Sequence, residues 1–309
     1  MKILNFGSLN IDYTYQVDHV VQEGETITSP ALEIFPGGKG LNQTIALAKA
    51  GSDVWHAGLI GEDGRFLRDL CAEAGAHVDY LRESEVRSGN AIIQVTPAGN
   101  NCIIVFPGSN RQITEGFIDE VLAGFEAGDV IVLQNEVNLL NVIIDKAFAK
   151  GMKIVLNPSP FDHFIGECDL TKVSLFMINE IEGKQLTGLT EPEAILAKIA
   201  ELYPNAAVVL TLGEDGSMFA GAPAAELAGT QAAAAAERVV VRQKAIPTKA
   251  VDTTAAGDTF SGYFLTAWLS GKTPAESLKI ASVASSIAVA RKGASISIPV
   301  REEVERALV

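Results

Sequence analysis

The sequence contains few of the residues that build disulfide, zinc or histidine chemistry. Three cysteines occur in 309 residues, at Cys71, Cys102 and Cys168, far apart and without a CxxC spacing. Isolated cysteines in odd number are typical of reduced thiols, so we expect a cytoplasmic protein without a disulfide framework. The four histidines are equally scattered, which argues against a zinc site and against a histidine triad.

Basic residues are also scarce. The chain has 24 lysines and arginines against 38 aspartates and glutamates, and its formal net charge is −14. Nucleic-acid backbones demand clustered Lys and Arg, and the sequence has no such cluster. We therefore expect no nucleic-acid partner.

Long apolar runs and low-complexity linkers are absent as well. The N-terminus has no long apolar run, and Asp12 interrupts what there is, so we expect neither a secretion signal nor a membrane span. No Pro/Ser-rich segment divides the chain, which favours a single domain over residues 1–309.

Short apolar runs, by contrast, recur along the chain with helical segments between them. The predicted strands lie at residues 2–6, 130–133, 153–156, 175–178 and 208–212. Runs of this kind are typical of strands that are buried on both faces of a sheet. The pattern predicts an α/β fold, a three-layer sandwich whose central, mostly parallel sheet is flanked by helices.

The most informative segment is VDTTAAGDTF, residues 251–260. Apolar residues at helical spacing follow it, so a helix begins near residues 255–258. The first turn of a helix has backbone N–H groups without partners and a partial positive charge. Because Ala255, Ala256 and Gly257 have little or no side chain, an anion such as a migrating phosphoryl group can approach these N–H groups closely.

Asp258 lies in that first turn. Beside a bound phosphoryl group, its carboxylate can accept the proton of an attacking hydroxyl group. Aspartate is also a favoured N-cap residue, and these residues alone favour the capping role.

A second glycine-rich segment, GGKG at residues 37–40, lacks the GxxxxGK[ST] spacing of a P-loop. Helical spacing follows it and places Lys39 and Asn42 on one face of the first turn. The glycines allow a ligand to reach the backbone while that face supplies two polar contacts. The alternative is a glycine-rich turn that caps a core helix.

Two other segments combine polar residues with predicted strand ends. In GSLNID, residues 7–12, the two-residue strand period places Asn10 and Asp12 on one face. A carboxylate beside a carboxamide can bind neighbouring hydroxyl groups, although an ordinary exposed strand end is the alternative. Asn179 and Glu182 follow a predicted strand as N-x-x-E, a spacing that also forms a capping box.

Eight such segments together resemble the ribokinase-like carbohydrate kinases over nearly the whole chain. In chain order they are GSLNID (7–12), PGGKGLNQ (36–43), QNE (134–136), NPSP (157–160), NEIE (179–182), TLGEDG (211–216), VDTTAAGDTF (251–260) and RKGA (291–294). One segment of this kind is weak evidence for the family, but eight segments in the family's order are specific evidence for it.

The resemblance implies an ATP-dependent sugar kinase that phosphorylates the primary hydroxyl of D-ribose. It implies Asp258 as the general base and the backbone of Ala255, Ala256, Gly257 and Asp258 as an anion hole. The implied sugar-binding residues are Asn10, Asp12, Gly38, Lys39, Asn42, Glu136 and Asp258. The implied nucleotide-binding residues are Asn179, Thr211, Gly213, Gly216 and Gly257.

The resemblance also implies two metal ions. Glu182 would hold Mg²⁺ through water near the transferred phosphate, in accord with the preference of this hard cation for carboxylate and water oxygens. An activating K⁺ ion would lie among Asp252, Thr254, Ala288, Arg291, Gly293 and Ser297. Because Gly293 also suits a left-handed helix cap, that structural role remains the alternative.

Two stretches with alternating polarity, residues 31–35 and 90–106, predict strands outside the central sheet and resemble the family's β-sheet lid, which would be formed by segments near residues 11–36 and 88–107. A lid of this kind excludes water from the sugar, and in the family it pairs between subunits, which implies a homodimer. Residues 221–237 include an unbroken alanine run and are expected to form a surface excursion.

Two other functions remain open at the level of the sequence. The phosphoryl acceptor can be fructose, 2-keto-3-deoxygluconate or a nucleoside, since relatives that phosphorylate these substrates share most of the same sequence segments. A non-catalytic sugar-binding regulator is the alternative from another class, because a fold does not guarantee chemistry.

Overall fold

The computed structural model describes residues 1–222 and 238–308, and these residues form two β-sheets and nine α-helices. The strands are β1 (Ile3–Phe6), β2 (Asn10–Gln16), β3 (Ala31–Gly37), β4 (Val54–Ile60), β5 (His77–Glu83), β6 (Gly89–Val95), β7 (Asn101–Phe106), β8 (Val130–Gln134), β9 (Lys153–Asn157), β10 (Leu175–Asn179), β11 (Ala207–Thr211), β12 (Ser217–Gly221) and β13 (Val239–Gln243). The helices are α1 (Lys39–Ala50), α2 (Arg65–Glu73), α3 (Glu115–Ala123), α4 (Leu140–Ala149), α5 (Glu180–Thr187), α6 (Pro192–Leu202), α7 (Ala256–Leu269), α8 (Pro274–Val289) and α9 (Arg301–Ala307).

The central sheet has the strand order β13-β12-β11-β10-β9-β8-β1-β4-β5. Seven of these strands run parallel, and β12 and β13 continue the sheet as an antiparallel edge. All five predicted strands are present within a residue or two of their predicted bounds. The prediction of a mostly parallel sheet is therefore confirmed.

Apolar side chains cover both faces of this sheet. On β1 and β8, Ile3 and Val132 contribute to the core on one face, whereas Leu4 and Leu133 contribute to the core on the other. Because successive side chains of a strand point to opposite faces, a sheet with helices on both sides needs apolar residues at consecutive positions. This is the physical reason for the short continuous apolar runs, and it gives the three-layer sandwich.

Helices α1 and α7 pack closely on one face of the sheet. A Cβ atom built on Gly262 of α7 would lie 2.4 Å from the Cβ of Ala46 in α1, so only glycine permits this approach. The contact fixes the two helices relative to each other. Their first turns then lie close together, and polar side chains of the two turns are directly hydrogen bonded.

The small sheet, composed of β3, β2, β6 and β7 in that order, lies apart from the central sheet. β2 pairs antiparallel with β3 and parallel with β6, and β6 pairs antiparallel with β7. Its strands fall within the two segments that resemble a lid. It also includes β2, which follows β1 after only three residues.

The predicted excursion at residues 221–237 lies almost wholly outside the described residues. No helix in the described ranges is both long enough and apolar enough to cross a membrane.

Candidate active site

A cavity of about 220 Å³ opens at the carboxyl-terminal edge of the parallel strands. In doubly wound sheets, this edge is where ligands bind. The first turns of α1, α5 and α7 all reach the cavity, and its lining includes Lys39, Asn179, Glu182, Thr211 and residues 255–258. Most of the residues predicted for phosphoryl transfer are therefore brought together.

Asp258 lies in the first turn of α7, and only 8% of its surface is exposed. Its two carboxylate oxygens accept hydrogen bonds from two amide groups of α1. The Nδ2 of Asn42 donates to Oδ2 at 3.0 Å, and the Nε2 of Gln43 donates to Oδ1 at 2.9 Å. Two hydrogen bonds, one to each oxygen, fix the orientation of a carboxylate. The side chain is thus an oriented acceptor at the wall of the cavity.

Asn42 was predicted to contact the sugar, and its amide has one atom left for such a contact. Its Nδ2 is engaged by Asp258, whereas its Oδ1 is buried and has no hydrogen-bond partner among the described residues. A buried acceptor without a partner is costly, and a ligand hydroxyl would satisfy it.

Glu136 connects three segments near the start of α1. Its Oε2 accepts hydrogen bonds from the hydroxyl of Ser8 and, at 2.9 Å, from the backbone N–H of Lys39. The carboxylate therefore ties the end of β8 to the start of α1 and to the β1–β2 connection. Gly38, the N-cap residue of α1, has φ 93° and lies against this connection.

Asn10 and Asp12 share one face of β2, as predicted from the strand period. The Oδ1 of Asn10 accepts a hydrogen bond from the Nδ2 of Asn110 at 2.8 Å, which leaves the Nδ2 of Asn10 to face a ligand. Burial, with a smaller contribution from the charge of Glu136, raises the pKa of Asp12 to about 7. The Asp12 carboxylate packs against Gly37, where any Cβ atom would overlap it.

Lys39, the first residue of α1, lines the cavity. Burial alone would lower the pKa of its ammonium group, but the carboxylates of Asp258, Glu136 and Glu182 outweigh that effect and hold the pKa above its ordinary value. Lys39 therefore remains charged, and it can interact with a phosphate as well as with a sugar hydroxyl.

The predicted anion hole lies at the start of α7, where the N–H of Ala256 donates to the carbonyl oxygen of Thr253 at 3.2 Å. Ala255 is the N-cap residue of α7 in the left-handed conformation, with φ 59°. The N–H groups of Gly257 and Asp258 have no hydrogen-bond acceptor within the described part of the chain. A Cβ atom built on Gly257 would meet nothing within 4 Å. The missing side chain leaves space that the described residues do not fill.

Asn179 and Glu182 form the capping box that their spacing predicts. The Oδ1 of Asn179 accepts from the N–H of Glu182, and the Oε2 of Glu182 accepts from the N–H of Asn179, both at 2.9 Å. Both residues also line the cavity, and Glu182 is only 5% exposed. The structural role is therefore present, and the geometry leaves room for a ligand role as well.

The other predicted nucleotide-binding residues follow β11. Thr211 lies at its end and lines the cavity, whereas Gly213 and Gly216 lie in the turn that leads to β12. Gly216 has φ 99°, and a Cβ atom there would overlap the carbonyl oxygen of Gln243. This glycine therefore has a structural role in the turn.

The predicted K⁺ residues are only partly joined by direct contacts. The Oδ1 of Asp252 accepts from the N–H and hydroxyl of Thr254, at 2.9 and 2.6 Å, and its Oδ2 accepts from the N–H of Gly293 at 2.9 Å. These bonds outweigh burial and lower the pKa of Asp252. The remaining residues have other partners: Arg291 donates to Ala288 O and pairs with Glu303, and Ser297 donates to Ala294 O.

Sequence reasoning missed several polar residues of the site. Asn110 orients Asn10, Gln43 binds Asp258, and Asn157 lines the cavity with a buried Oδ1 that has no partner in the described ranges. The sequence signal that could have identified such residues is an amide side chain at a position that the helix or strand period assigns to the buried core. Gln43 in α1 and Gln134 at the end of β8 both fit that description.

Comparisons with known proteins show which family the chain resembles. The profile of the pfkB family carbohydrate kinases matches residues 1–301. The chain is 32% identical to a ribokinase of Haemophilus influenzae, over 96% of this chain and 95% of that protein. It is 29% identical to a deoxyribokinase of Salmonella typhi, over 98% of this chain and 97% of that protein. Among solved structures, it resembles Arabidopsis thaliana ribokinase complexed with ribose and ATP, with a TM-score of 0.80, 29% identity, and coverage of 99% of this chain and 98% of that one.

Proposed function

Because this chain belongs to the pfkB family of carbohydrate kinases, we propose that it transfers the γ-phosphoryl group of ATP to the primary hydroxyl of D-ribose, giving D-ribose 5-phosphate and ADP. The observation that carries this proposal is the position of Asp258. Its hydrogen-bonded carboxylate faces the cavity beside the N–H groups of Gly257 and Asp258, which have no acceptor among the described residues. Ribose as the acceptor is supported by the similarity to ribokinases over almost the whole chain.

On the acceptor side, we assign the ribose hydroxyls to Asn10, Asp12, Asn42 and Glu136, with Gly38 and Lys39 beside them. Asn10 and Asn42 each have one amide atom engaged within the protein and one available. Fixed donors and acceptors of this kind select a sugar by the positions of its hydroxyl groups.

In the chemical step, the oxygen of the 5-hydroxyl forms a bond to the γ-phosphorus. The bond between that phosphorus and the β,γ-bridging oxygen breaks, and ADP leaves. Asp258 accepts the hydroxyl proton. The N–H groups of Gly257 and Asp258, together with the ammonium of Lys39, stabilise the negative charge of the phosphoryl oxygens.

We infer that ATP binds with Mg²⁺ near Asn179 and Glu182. The described residues contain no group of three or more His, Cys, Asp or Glu side chains able to hold a metal. This fits Mg²⁺ in kinases, which is usually bound by one or two carboxylates, substrate phosphates and water. When bound, the ion would neutralise charge on the phosphates. On the protein's side, Glu182 would hold its water ligands, and Thr211, Gly213 and Gly216 would lie towards the nucleotide.

The primary test is ADP release with ATP and Mg²⁺ against ribose, deoxyribose, fructose, 2-keto-3-deoxygluconate and adenosine. We expect turnover on ribose and a fall in kcat of about 10²- to 10⁴-fold in Asp258→Asn, which keeps the shape of the side chain but removes the base. Turnover on another acceptor would change the assigned substrate but leave the proposed mechanism unchanged. Sugar binding without turnover on any acceptor would support the regulatory alternative.

We also propose that K⁺ activates the enzyme by binding near Asp252, Thr254 and Gly293. The hydrogen bonds among these residues join the loop before the anion hole to the loop after α8. The other oxygens would come from Ala288, Arg291 and Ser297. We expect faster turnover in K⁺ than in Na⁺ at equal ionic strength, and a loss of this difference in Asp252→Asn. Equal rates in the two salts would contradict the proposal.

The small sheet is our proposed lid and dimer interface. Its strand register places Ile34, Tyr13, Ile92 and Ile104 in one row across four strands. The three isoleucines of this row are 56%, 41% and 61% exposed. Contiguous exposed apolar surface of this kind marks an interaction site, and a second copy would cover it.

Sedimentation tests this assembly. We expect the native chain to sediment as a dimer and Ile104→Glu to sediment as a monomer. Val240→Glu is the control, because Val240 is equally exposed, at 62%, but lies on β13 of the central sheet. A monomeric native chain would contradict the dimer.

We further propose a cytoplasmic location, where ATP is available. The free state of all three cysteines agrees with it.

A further inference from the structure

A chain of buried amide groups extends from Asp258 into the core of the protein. Gln43, which donates to Asp258, accepts a hydrogen bond at its Oε1 from the Nε2 of Gln134 at 2.7 Å. The same Nε2 donates to the Oδ1 of Asn5 at 3.0 Å. The Nδ2 of Asn5 in turn donates to the backbone carbonyl of Gly40 at 2.8 Å. Asn5, Gln43 and Gln134 are at most 2% exposed, and Gly40 is buried as well.

The backbone determines which way every amide in this chain faces. The carbonyl oxygen of Gly40 can only accept, so Asn5 must direct its Nδ2 towards it and its Oδ1 towards Gln134. Gln134 must then direct its Nε2 towards Asn5, and the second hydrogen of that group reaches Gln43. The Oε1 of Gln43 is thereby occupied, which leaves its Nε2 to face Asp258.

Neighbouring groups support this arrangement. Asn5 also donates to the hydroxyl of Thr44 at 2.7 Å, and Thr44 contacts His56 at 2.6 Å. Burial lowers the pKa of His56 to about 4, so the ring is neutral and adds no charge to the chain. A Cβ atom on Gly7 would lie 2.4 Å from the Oε1 of Gln134, so the glycine of GSLNID provides the space that Gln134 occupies.

We propose that Gln43 is a positioning residue for the catalytic carboxylate, and that Gln134 and Asn5 act through it by fixing the orientation of its amide. With Oδ1 held by Gln43 and Oδ2 held by Asn42, the carboxylate cannot rotate. Its remaining lone pairs then face the acceptor hydroxyl. This inference deepens the proposed function and rests on Asp258 being the base.

The test compares Gln43→Met, Gln134→Met and the double variant with the native enzyme. Gln43→Met fills the same space but donates nothing, and we expect kcat to fall about tenfold or more, as for loss of a hydrogen bond to a charged group. The KM values for sugar and ATP are expected to stay within about twofold, because no ligand contact is removed. Gln134→Met is expected to lower kcat by a smaller factor, about threefold to fivefold.

The double variant separates a chain of interactions from two independent effects. Because Gln134 acts only through Gln43, we expect kcat of the double variant to equal that of Gln43→Met. Ile143→Val, in α4 on the opposite face of the sheet, serves as the control for lost core packing. It should reduce thermal stability while leaving kcat unchanged.

Three outcomes would overturn the proposal: native kcat in Gln43→Met, factors that multiply in the double variant, or a rise in KM in place of a fall in kcat. If Gln43→Met does not fold, the test rests on Gln134→Met alone. A native kcat in folded Gln134→Met would then overturn the proposal. If ribose is not turned over, the variants are measured with whichever acceptor of the panel is used. A wrong substrate is thereby distinguished from a wrong positioning role.

Discussion

The acceptor side and the phosphoryl side of the site are built differently. On the acceptor side, Asn10, Asn42 and Glu136 are each hydrogen bonded to another part of the protein before any ligand binds. On the phosphoryl side, the residues at the start of α7 offer backbone N–H groups, and the space beside Gly257 is open. One side is organised by the protein itself, whereas the other is completed by what binds there.

The chemistry of the two ligands explains this difference. Sugar hydroxyls are neutral and directional, so they are selected by donors and acceptors that are already in place. A phosphoryl group carries charge over several oxygens and is stabilised by any well-placed positive field. The comparison predicts that equivalent substitutions have different consequences on the two sides.

The largest effect is expected at Gly257. In Gly257→Ala, the new methyl group meets no atom of the described residues within 4 Å beyond its chain neighbours and its own helix backbone, so the melting temperature should be unchanged. The methyl group would occupy the proposed phosphoryl position, and we expect kcat to fall about 10²-fold, as for the loss of one anion-hole donor. Steady-state kinetics and calorimetry on one preparation check both parts. A large loss of stability would contradict the comparison.

Gly38 is the matched glycine on the acceptor side. It has φ 93°, and a Cβ atom would lie 3.0 Å from the backbone nitrogen of Asn10. Gly38→Ala should therefore lower the free energy of unfolding by about 1–3 kcal/mol, the cost of holding a residue with a side chain in a sparsely populated backbone region. Denaturant unfolding measures this change. An unaltered unfolding midpoint would show that the acceptor side is less tightly organised than we infer.

Asp12 provides a pH test of the acceptor side. Because its pKa is raised from 3.8 to about 7, the folded protein favours the protonated group. This contribution to stability is complete below about pH 4 and is lost as the pH rises to about 7. Asp12→Asn cannot ionise. The difference in melting temperature between this variant and the native chain should therefore increase, in favour of the variant, from about pH 4 to about pH 7, and should stay constant above that pH.

The same group should control sugar binding. If the ionised Asp12 accepts hydrogen bonds from ribose, the KM for ribose falls as the pH rises through about 7, and Asp12→Asn abolishes that dependence. The KM for ATP serves as the internal control, because Asp12 lies on the acceptor side. A parallel change in both KM values would point to another titrating group.

The smallest effect is expected at Glu182. Glu182→Gln keeps a residue that supports a capping box, so stability should change by less than about 0.5 kcal/mol. We expect the Mg²⁺ concentration for half-maximal rate to rise about tenfold, the lower end of the effect when a group that orients the ligands of a metal is lost. Glu276→Gln is the matched control, since Thr273 and Glu276 form the same box on α8. An equal shift in both variants would exclude the proposed Mg²⁺ role.

The fold and the two helix starts were predictable because each depends on local pattern. Buried parallel strands need consecutive apolar residues, and the starts of α1 and α7 follow glycine or small residues. The prediction did not extend to β4 and β5. β4 contains the buried His56, and β5 is an edge strand with several exposed polar residues. Composition alone does not distinguish such strands from loops.

The sequence identified candidate residues that the structure brings together, but it did not identify the contacts between them. The sequence segments placed Asn42 and Asp258 in one site, yet the hydrogen bond between them joins residues 216 positions apart. Gln43 and Gln134 lie at positions where periodicity predicts an apolar side chain. Their role depends on the packing of α1 against β8 and α7, which no local pattern specifies.

The short connection between β1 and β2 determines how far different parts of the small sheet can travel. Residues 7–9 lie between the rigid central sheet and Asn10, and Gly40 packs against them. β2 has seven residues, which corresponds to a lever arm of about 23 Å. A tilt of about 10° about this connection would move the Gln16 end by about 4 Å and Asn10 by less than about 1 Å. If the small sheet is the lid that we propose, such a tilt would carry its outer end across the mouth of the site, while the groups that we assign to the sugar would stay near the pivot.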